Sequence, residues 1–231
     1  MRIFLNFALR CPRLRHHEAC NIMTGTVRNM KNKILIRQYI SPCGELVLGS
    51  YGDRLCLCNW TIEKHPGRVD MRLRSLLDAE YEEGKSDITD EASAQLDQYF
   101  SQERKEFDIP LLFVGTDFQK RVWQQLLAIP YGQTVSYGEM AAALGMPKAA
   151  RAVANANGAN AISIFAPCHR VTGSDRSLTG YGGGIAAKRF LLGIENTRYR
   201  SAGFMAPVPD SGFRFPETVT ASGEDKAGAI R

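Results

Sequence analysis

The sequence lacks the features that mark membrane proteins and secreted proteins. It contains no apolar run close to the roughly 20 residues that a membrane-spanning helix requires. Its six cysteines are too few and too scattered along 231 residues for a disulfide scaffold. The apolar stretch after Met1 is too short and too interrupted for a secretory leader, and no small-residue cleavage site follows it. We therefore expect a cytoplasmic protein with reduced thiols and no membrane partner.

The composition is that of an ordinary globular chain, with 44% hydrophobic and 23% charged residues. The length fits one large domain or two modest ones. Charge is unevenly placed, because residues 34–115 carry nine Lys/Arg against fifteen Asp/Glu and residues 116–200 carry ten against four. A basic half suggests a polyanionic partner, nucleic acid first, although charge alone favours the alternative of a solvated basic surface.

Four regions can be distinguished along the chain. Residues 1–33 are basic and are expected to form a poorly ordered extension, and residues 201–231, rich in Pro, Gly, Ser and Ala, are expected to form a flexible tail. Residues 34–110 are predicted to form a small α/β domain with an antiparallel sheet and a helix at 88–102. Residues 115–200 read as a mostly helical second domain.

The expected sheet carries three cysteines. Cys56 and Cys58 alternate with leucines and should point to one face of a hairpin. With Cys43 and His65 they could bind a metal ion, but Cys-x-Cys is not a usual zinc spacing. We expect buried structural thiols and no metal site.

The second domain contains a helix-turn-helix pattern. Ser136 and Glu139 have the spacing of a capping box, which predicts a helix beginning at this point. Gly145 should end that helix, and Pro147 should occupy the first turn of the next one. The next helix is rich in alanine around Arg151, so its backbone can approach a neighbour closely. Composition alone favours core packing over contact with a DNA groove.

The segment Pro167–Val171 places a thiol next to an imidazole. Cys168 would be a nucleophile only if a base or a positive field assists it, and His169 is the nearest base. Glu195 is the nearest carboxylate that could orient His169. An isolated Cys-His pair is more often structural, so both interpretations stay open at this point. The glycine-rich loop Gly180–Gly184 lacks the Lys-Ser/Thr of a P-loop, which argues against nucleoside triphosphate binding.

Six short motifs occur together between residues 116 and 200 with unbroken spacing. They are Thr116–Trp123, Ile129–Gly132, Ser136–Gly138, Gly145–Val153, Pro167–Val171 and Gly180–Gly184. Together they resemble the methylated-DNA–protein-cysteine methyltransferases, the O6-alkylguanine-DNA alkyltransferases, in their stand-alone form. The resemblance implies an α/β (α+β) fold with a ribonuclease-H-like N-terminal domain and a winged-helix-like C-terminal domain.

The same resemblance implies DNA repair by a single-turnover reaction. After the damaged nucleotide is flipped out of the duplex, the alkyl group of O6-alkylguanine moves irreversibly to Cys168. His169 is implied as the base acting through a water, Glu195 as the residue that orients it, and Tyr137 as the proton donor to guanine. No cofactor is implied, the partner is double-stranded DNA, and the protein is expected to be a monomer.

The remaining implied roles concern DNA and the base pocket. Arg151 matches the finger that replaces the flipped nucleotide, on a helix whose small side chains contact DNA. Asn160 matches the hinge of the active-site loop. The implied DNA contacts are Ala149, Ala150, Ala152 and Tyr137, and the implied pocket residues are Pro167, Val171, Tyr181 and Gly182.

Three departures from the family pattern leave the preferred alkyl group open, as well as the use of O4-alkylthymine. They are Ala161 after the hinge, Ala166 before Pro167, and the turn 175–177, which lacks the usual glycine. Two alternatives remain: a helix-turn-helix protein that senses damage without transfer, and a Cys-His hydrolase. The hydrolase is disfavoured because it leaves Arg151 and its alanine-rich helix unexplained.

Overall fold

The computed structural model describes residues 32–62, 67–200 and 211–215. In the first half, four strands form one sheet in the order β3-β2-β1-β4. Helix α1 carries the chain from β3 across the sheet to the far side of β1, so β4 runs in the same direction as β1 and β3 and pairs in parallel with β1, while the other neighbours are antiparallel. The expected antiparallel pairing is confirmed for β1, β2 and β3, and the parallel β4 makes the sheet mixed. The elements are β1 (Asn32–Ser41), β2 (Gly44–Tyr51), β3 (Arg54–Trp60), α1 (Arg68–Leu77), β4 (Ala79–Glu83) and α2 (Asp87–Phe100).

Strand β3 joins the sheet to the second half of the chain. One edge of β3 pairs with β2. On the other edge, the Cys58 N–H donates to the Ala161 carbonyl at 2.8 Å and the Ser163 N–H donates to the Cys58 carbonyl at 2.7 Å. An edge strand that would otherwise expose its backbone groups is thus covered. Every residue of β3 after Arg54 is buried, so Cys56 and Cys58 are both core residues.

Helix α2 confirms the helix predicted over 88–102. The Ser86 side chain accepts a hydrogen bond from the Thr89 N–H, and the Thr89 side chain accepts one from the Ser86 N–H, which forms a capping box at the start of the helix. Ala92, Leu96 and Tyr99 lie on its buried face as their spacing predicts. The hydroxyl of Tyr99 reaches into the second half of the chain.

The second half consists mainly of helices. The predicted capping box of Ser136 with Glu139 is present, and Thr116 with Gln119 forms another at the start of α3 (Asp117–Leu126). Two very short strands, β5 and β6, pair in parallel beside the helices. The elements are α3 (Asp117–Leu126), β5 (Val135–Ser136), α4 (Tyr137–Ala143), α5 (Ala150–Gly158), a 3₁₀ turn (Cys168–Arg170), β6 (Val171–Thr172), α6 (Gly184–Glu195) and a second 3₁₀ turn (Thr197–Tyr199).

Helices α4 and α5 form the predicted helix-turn-helix pair with a longer turn than expected. Gly145 has φ +75, a left-handed conformation that suits glycine and ends α4. Pro147 lies in the turn that follows, and the Ala149 N–H donates to the Met146 carbonyl at 2.8 Å. Helix α5 begins only at Ala150, so the prediction that Pro147 opens it was wrong. The finer names ribonuclease-H-like and winged-helix-like stay predictions.

Part of the predicted C-terminal tail is held against the second half. The Ser211 hydroxyl accepts from the Thr134 N–H at 2.9 Å and donates to the Thr134 carbonyl at 2.7 Å. Phe213 and Phe215 pack against the core. At the other end, Asn32 and Lys33 already belong to β1, and the remainder of the predicted extension lies outside the described residues. Within the described part of the chain, no helix is long and apolar enough to cross a membrane.

Candidate active site

A buried loop leads from the end of α5 to Cys168. Asn160 bonds to both ends of this loop: its side-chain amide donates to the Ala166 carbonyl at 2.9 Å and its carbonyl accepts from the Ile162 N–H at 3.0 Å. Ile164 has φ +73, which is costly for a β-branched residue and indicates that the surrounding packing holds the loop. Pro167 precedes the 3₁₀ turn and its carbonyl accepts from the Arg170 N–H at 3.0 Å. Asn160 therefore lies where a hinge residue is expected.

The thiol of Cys168 is buried, with 4% of the residue exposed. Burial raises the pKa of Cys168, against the lowering effects of the Asn160 side chain, the Lys188 charge and the Ser163 side chain. The thiol is therefore protonated at neutral pH. A reaction at its sulfur needs a base that removes this proton.

His169 and Glu195 are brought together across 25 intervening residues. His169 Nε2 lies 2.7 Å from Glu195 Oε1, and both side chains are fully buried. Arg170 donates through Nε to Glu195 Oε2 at 2.9 Å and through Nη2 to Oε1 at 2.9 Å. The two oxygens of one carboxylate thus bind an imidazole and a guanidinium, an arrangement that fixes the position of the histidine ring.

The charges in this cluster can be assigned. Burial alone would raise the pKa of Glu195, but His169 and Arg170 outweigh it and hold the pKa well below its usual range. Burial lowers the pKa of His169, against the opposing effect of Glu195. Because Arg170 already neutralises Glu195, His169 is neutral and carries its proton on Nε2. Its Nδ1 is then an acceptor, and this buried atom has no hydrogen-bond partner among the described residues.

Two cations at this site were not identified as site residues from the sequence. Arg170 anchors Glu195 and also donates to the Ile129 carbonyl at 2.6 Å. Lys188 is fully buried and its ammonium donates to the Val171 carbonyl at 2.5 Å and the Thr179 carbonyl at 2.9 Å. A lysine on the apolar face of α6, seven residues before Glu195, was a signal that could have been used.

A small cavity of about 40 Å³ adjoins Cys168. Tyr181 and Gly182 line it, as expected for pocket residues. Tyr137 lies beside the loop Gly180–Gly184, and its hydroxyl donates to the Thr179 carbonyl at 3.3 Å. Burial raises the pKa of Tyr137, so this phenol keeps its proton at neutral pH and can donate it.

Helix α5 presents one face to the site and the opposite face to solvent. Val153, Ala156 and Asn157 are buried, and the Asn157 side chain donates to the Cys168 carbonyl at 3.4 Å. On the outer side, Arg151 and Ala152 are exposed. Ala149 and Ala150 are half-buried at the start of the helix. Core packing and an accessible basic face therefore coexist on one helix, and Asn157 is a site residue that the sequence analysis did not identify.

Comparison with known proteins agrees with this geometry. The family model for the DNA-binding domain of 6-O-methylguanine DNA methyltransferase matches residues 117–197. A Mycobacterium tuberculosis protein named methylated-DNA–protein-cysteine methyltransferase is 46% identical over 68% of this chain and 90% of its own length. A constitutive protein of the same name from Bacillus subtilis is 44% identical over 69% of this chain and 94% of its own. The chain belongs to this methyltransferase family.

Solved structures support the same assignment. The chain is similar to the crystal structure of the M. tuberculosis O6-methylguanine methyltransferase, with a TM-score of 0.61 and 44% identity over 71% of this chain and 94% of that one. It is similar to the M. tuberculosis OGT structure in complex with DNA, with a TM-score of 0.60 and 44% identity over 70% of this chain and 92% of that one. The resemblance inferred from the sequence motifs is thus confirmed.

One of the three departures from the methyltransferase pattern acquires a structural meaning. Arg176 stands in the turn where the family commonly has glycine, and its φ of +61 is the left-handed conformation that glycine favours. Its guanidinium pairs with Glu139 at 3.2 Å, which holds the turn against the start of α4. Ala161 and Ala166 are both buried in the loop before Cys168.

The cysteines of the sheet are placed as structural residues. Burial raises the pKa of Cys56 to about 12 and raises that of Cys58 further. No group of three or more metal-binding side chains occurs within residues 32–62, 67–200 and 211–215. His65 lies outside the described residues, as do the histidines and cysteines of the predicted N-terminal extension.

Proposed function

We propose that this protein repairs DNA by transferring the alkyl group of O6-alkylguanine irreversibly to the sulfur of Cys168. The observation that carries the proposal is the geometry at Cys168 in a chain of this family. The buried thiol of Cys168 is followed in the chain by a neutral His169, whose Nδ1 has no hydrogen-bond partner among the described residues and whose Nε2 is held by Glu195. That combination supports activation of a nucleophile.

The proposed reaction balances without a cofactor. The proton of the Cys168 thiol passes to His169 Nδ1, through a water, and the resulting imidazolium is stabilised by Glu195. The sulfur attacks the alkyl carbon in line with the bond to guanine O6. As the C–S bond forms, the C–O bond breaks and its electron pair stays on guanine. Tyr137 supplies a proton to the guanine ring, which leaves as unmodified guanine.

Access to Cys168 requires the base to leave the duplex, because a stacked base cannot reach a sulfur buried inside the protein. Arg151 is exposed on α5 and is proposed to fill the gap left by the flipped nucleotide, which offsets part of the unstacking cost. The small side chains of Ala149, Ala150 and Ala152 would let α5 approach a groove closely. Repair must act on any sequence, so phosphate contacts from the basic half should dominate binding.

Further properties follow from this chemistry. A thioether has no easy leaving group, so each molecule reacts once. The protein is proposed to act as a monomer in the cytoplasm. The four described cysteines are free thiols, which supports a reducing compartment.

The test is the mass of the intact protein after incubation with a duplex that carries one O6-methylguanine. The expected result is one added methyl group per protein, mapped to Cys168. Cys168→Ser should gain no mass while still binding DNA, and Cys56→Ala, which removes a buried thiol of β3 that does not line the cavity beside Cys168, should react like the natural protein. DNA binding without any mass change would instead favour the damage-sensing alternative.

A further inference from the structure

Trp60, the last residue of β3, lies where the N-terminal sheet meets the loop Gly180–Gly184. It is buried, with 4% of the residue exposed. A Cβ atom added at Gly183 would lie 2.4 Å from Trp60 Cε2, and one added at Gly44 would lie 3.1 Å from Cζ3. The indole is thus enclosed between two glycines, one from the sheet and one from the loop. Such close backbone approach is a reason for glycine at both positions.

Trp60 also supports the aromatic wall of the site. The ring of Tyr181 packs edge-on against Trp60, with centroids 5.9 Å apart, and edge-on against His169 on its other side, with centroids 6.4 Å apart. The Tyr181 side chain also interacts with the Trp60 side chain, and neither the indole N–H nor the Tyr181 hydroxyl forms a hydrogen bond of normal geometry among the described residues. The position of Tyr181 therefore depends on Trp60.

The loop separates two spaces of very different size. On the Cys168 side the cavity is about 40 Å³, enough for two or three water molecules and too small for a purine. On the Trp60 side a groove of about 740 Å³ is lined by Cys43, Trp60 and Ile62. Gly180, Tyr181 and Gly182 line both spaces. A base that enters the Cys168 side must push this partition toward Trp60.

We infer that Trp60 determines the size of the alkyl group that the site accepts, by limiting how far the Tyr181 wall can move. This inference rests on the proposed alkyl transfer to Cys168. Methyl adducts need little displacement of the wall, whereas a benzyl adduct needs more volume beside the sulfur. A smaller residue at position 60 gives the Tyr181 wall more room to move toward the large groove, so bulky adducts gain more than methyl.

The experiment compares second-order rate constants for alkylation of Cys168 by free O6-benzylguanine and free O6-methylguanine, measured by intact mass. Free bases are used so that DNA binding does not contribute. Trp60→Leu should raise the benzyl-to-methyl ratio about tenfold or more, the scale expected when a hydrophobic pocket gains room. Trp60→Phe keeps an aromatic ring and should give an intermediate ratio.

The matched control is Leu57→Ala. Leu57 is a buried residue of the same strand that lines neither of the two spaces. It should lower stability while leaving the ratio unchanged. A ratio in Trp60→Leu equal to that of the natural protein, or an equal loss of both reactions, would overturn the inference. Failure of the natural protein to become methylated by the damaged duplex would instead overturn the proposed function itself.

Discussion

The carboxylate of Glu195 accepts a hydrogen bond from His169 Nε2 at 2.7 Å in a place where both side chains have no solvent exposure. The charge of Glu195 is balanced by Arg170, which leaves His169 free to stay neutral. An interior ion pair of this kind is sensitive to the loss of one partner, because the other charge is then buried without compensation.

Glu195→Gln is therefore expected to destabilise the protein by about 3–5 kcal/mol and to slow alkyl transfer. The loss arises because Arg170 is left as an uncompensated buried cation. Chemical denaturation and single-turnover kinetics measure the two effects. The control is Glu82→Gln, which breaks the exposed pair with Lys33 and should cost no more than about 1 kcal/mol. Equal stability of the two variants would contradict this account of the site.

The rate constant for Cys168 alkylation should fall as the pH is lowered, and the midpoint of this fall should lie below about pH 6.5, the usual pKa of histidine. Burial lowers the pKa of His169, so the neutral base persists to lower pH than an exposed histidine would. The measurement is the rate constant for Cys168 alkylation as the pH falls from about 8 to about 5. His169→Gln should lack this fall and react slowly throughout. A midpoint at or above the usual pKa would show that His169 is not the buried neutral base.

Lys188→Met should slow transfer near neutral pH, because the Lys188 charge lowers the pKa of Cys168. Burial lowers the pKa of Lys188 to about 8, below its value of about 10.4 in an unfolded chain. The unfolded state then binds more protons between these values, so the stability of the natural protein should rise with pH there, by up to about 3 kcal/mol relative to the variant. Denaturation of both proteins at two pH values tests this, and a constant difference would contradict it.

Arg151→Ala should weaken repair in duplex DNA far more than reaction with free O6-benzylguanine. Arg151 is exposed on α5 and is not part of the buried site. We therefore expect its loss to affect nucleotide flipping and not the reaction at Cys168. Lys148→Ala is the matched control, since it removes an exposed charge in the turn just before α5 and should reduce only salt-dependent binding. If Arg151→Ala slowed the reaction with both substrates equally, the proposal that Arg151 replaces the flipped nucleotide would be wrong.

Gly183→Ala should impair folding or reaction in the natural background and be tolerated when Trp60 is replaced by leucine. The φ of Gly183 is −80, which alanine adopts readily, so the only obstacle is the clash with the indole. A double-mutant cycle on stability measures the coupling between the two positions. Additive effects would show that Trp60 does not enclose Gly183 in solution.

Several features of the fold followed from local sequence patterns. The capping boxes at Thr116 and Ser136 and the helix end at Gly145 were predictable because residues three or four positions apart meet on a helix. The motifs around Cys168 identified the family, and the resemblance predicted roles for His169, Tyr137 and Arg151. Patterns of this kind need only the covalent chain and one turn of helix.

Tertiary structure decided the features that depend on which surfaces meet. The parallel entry of β4 depends on the crossover helix α1, which was not predicted. The pairing of Arg170 with Glu195, and the burial of Lys188 beside Val171, arise from the docking of α6 on the Cys168 turn. The enclosure of Trp60 by Gly183 depends on contact between distant halves of the chain. Sequence alone determined which groups we propose to react, whereas packing determined their charges and the room around them, because both depend on burial rather than on neighbours in sequence.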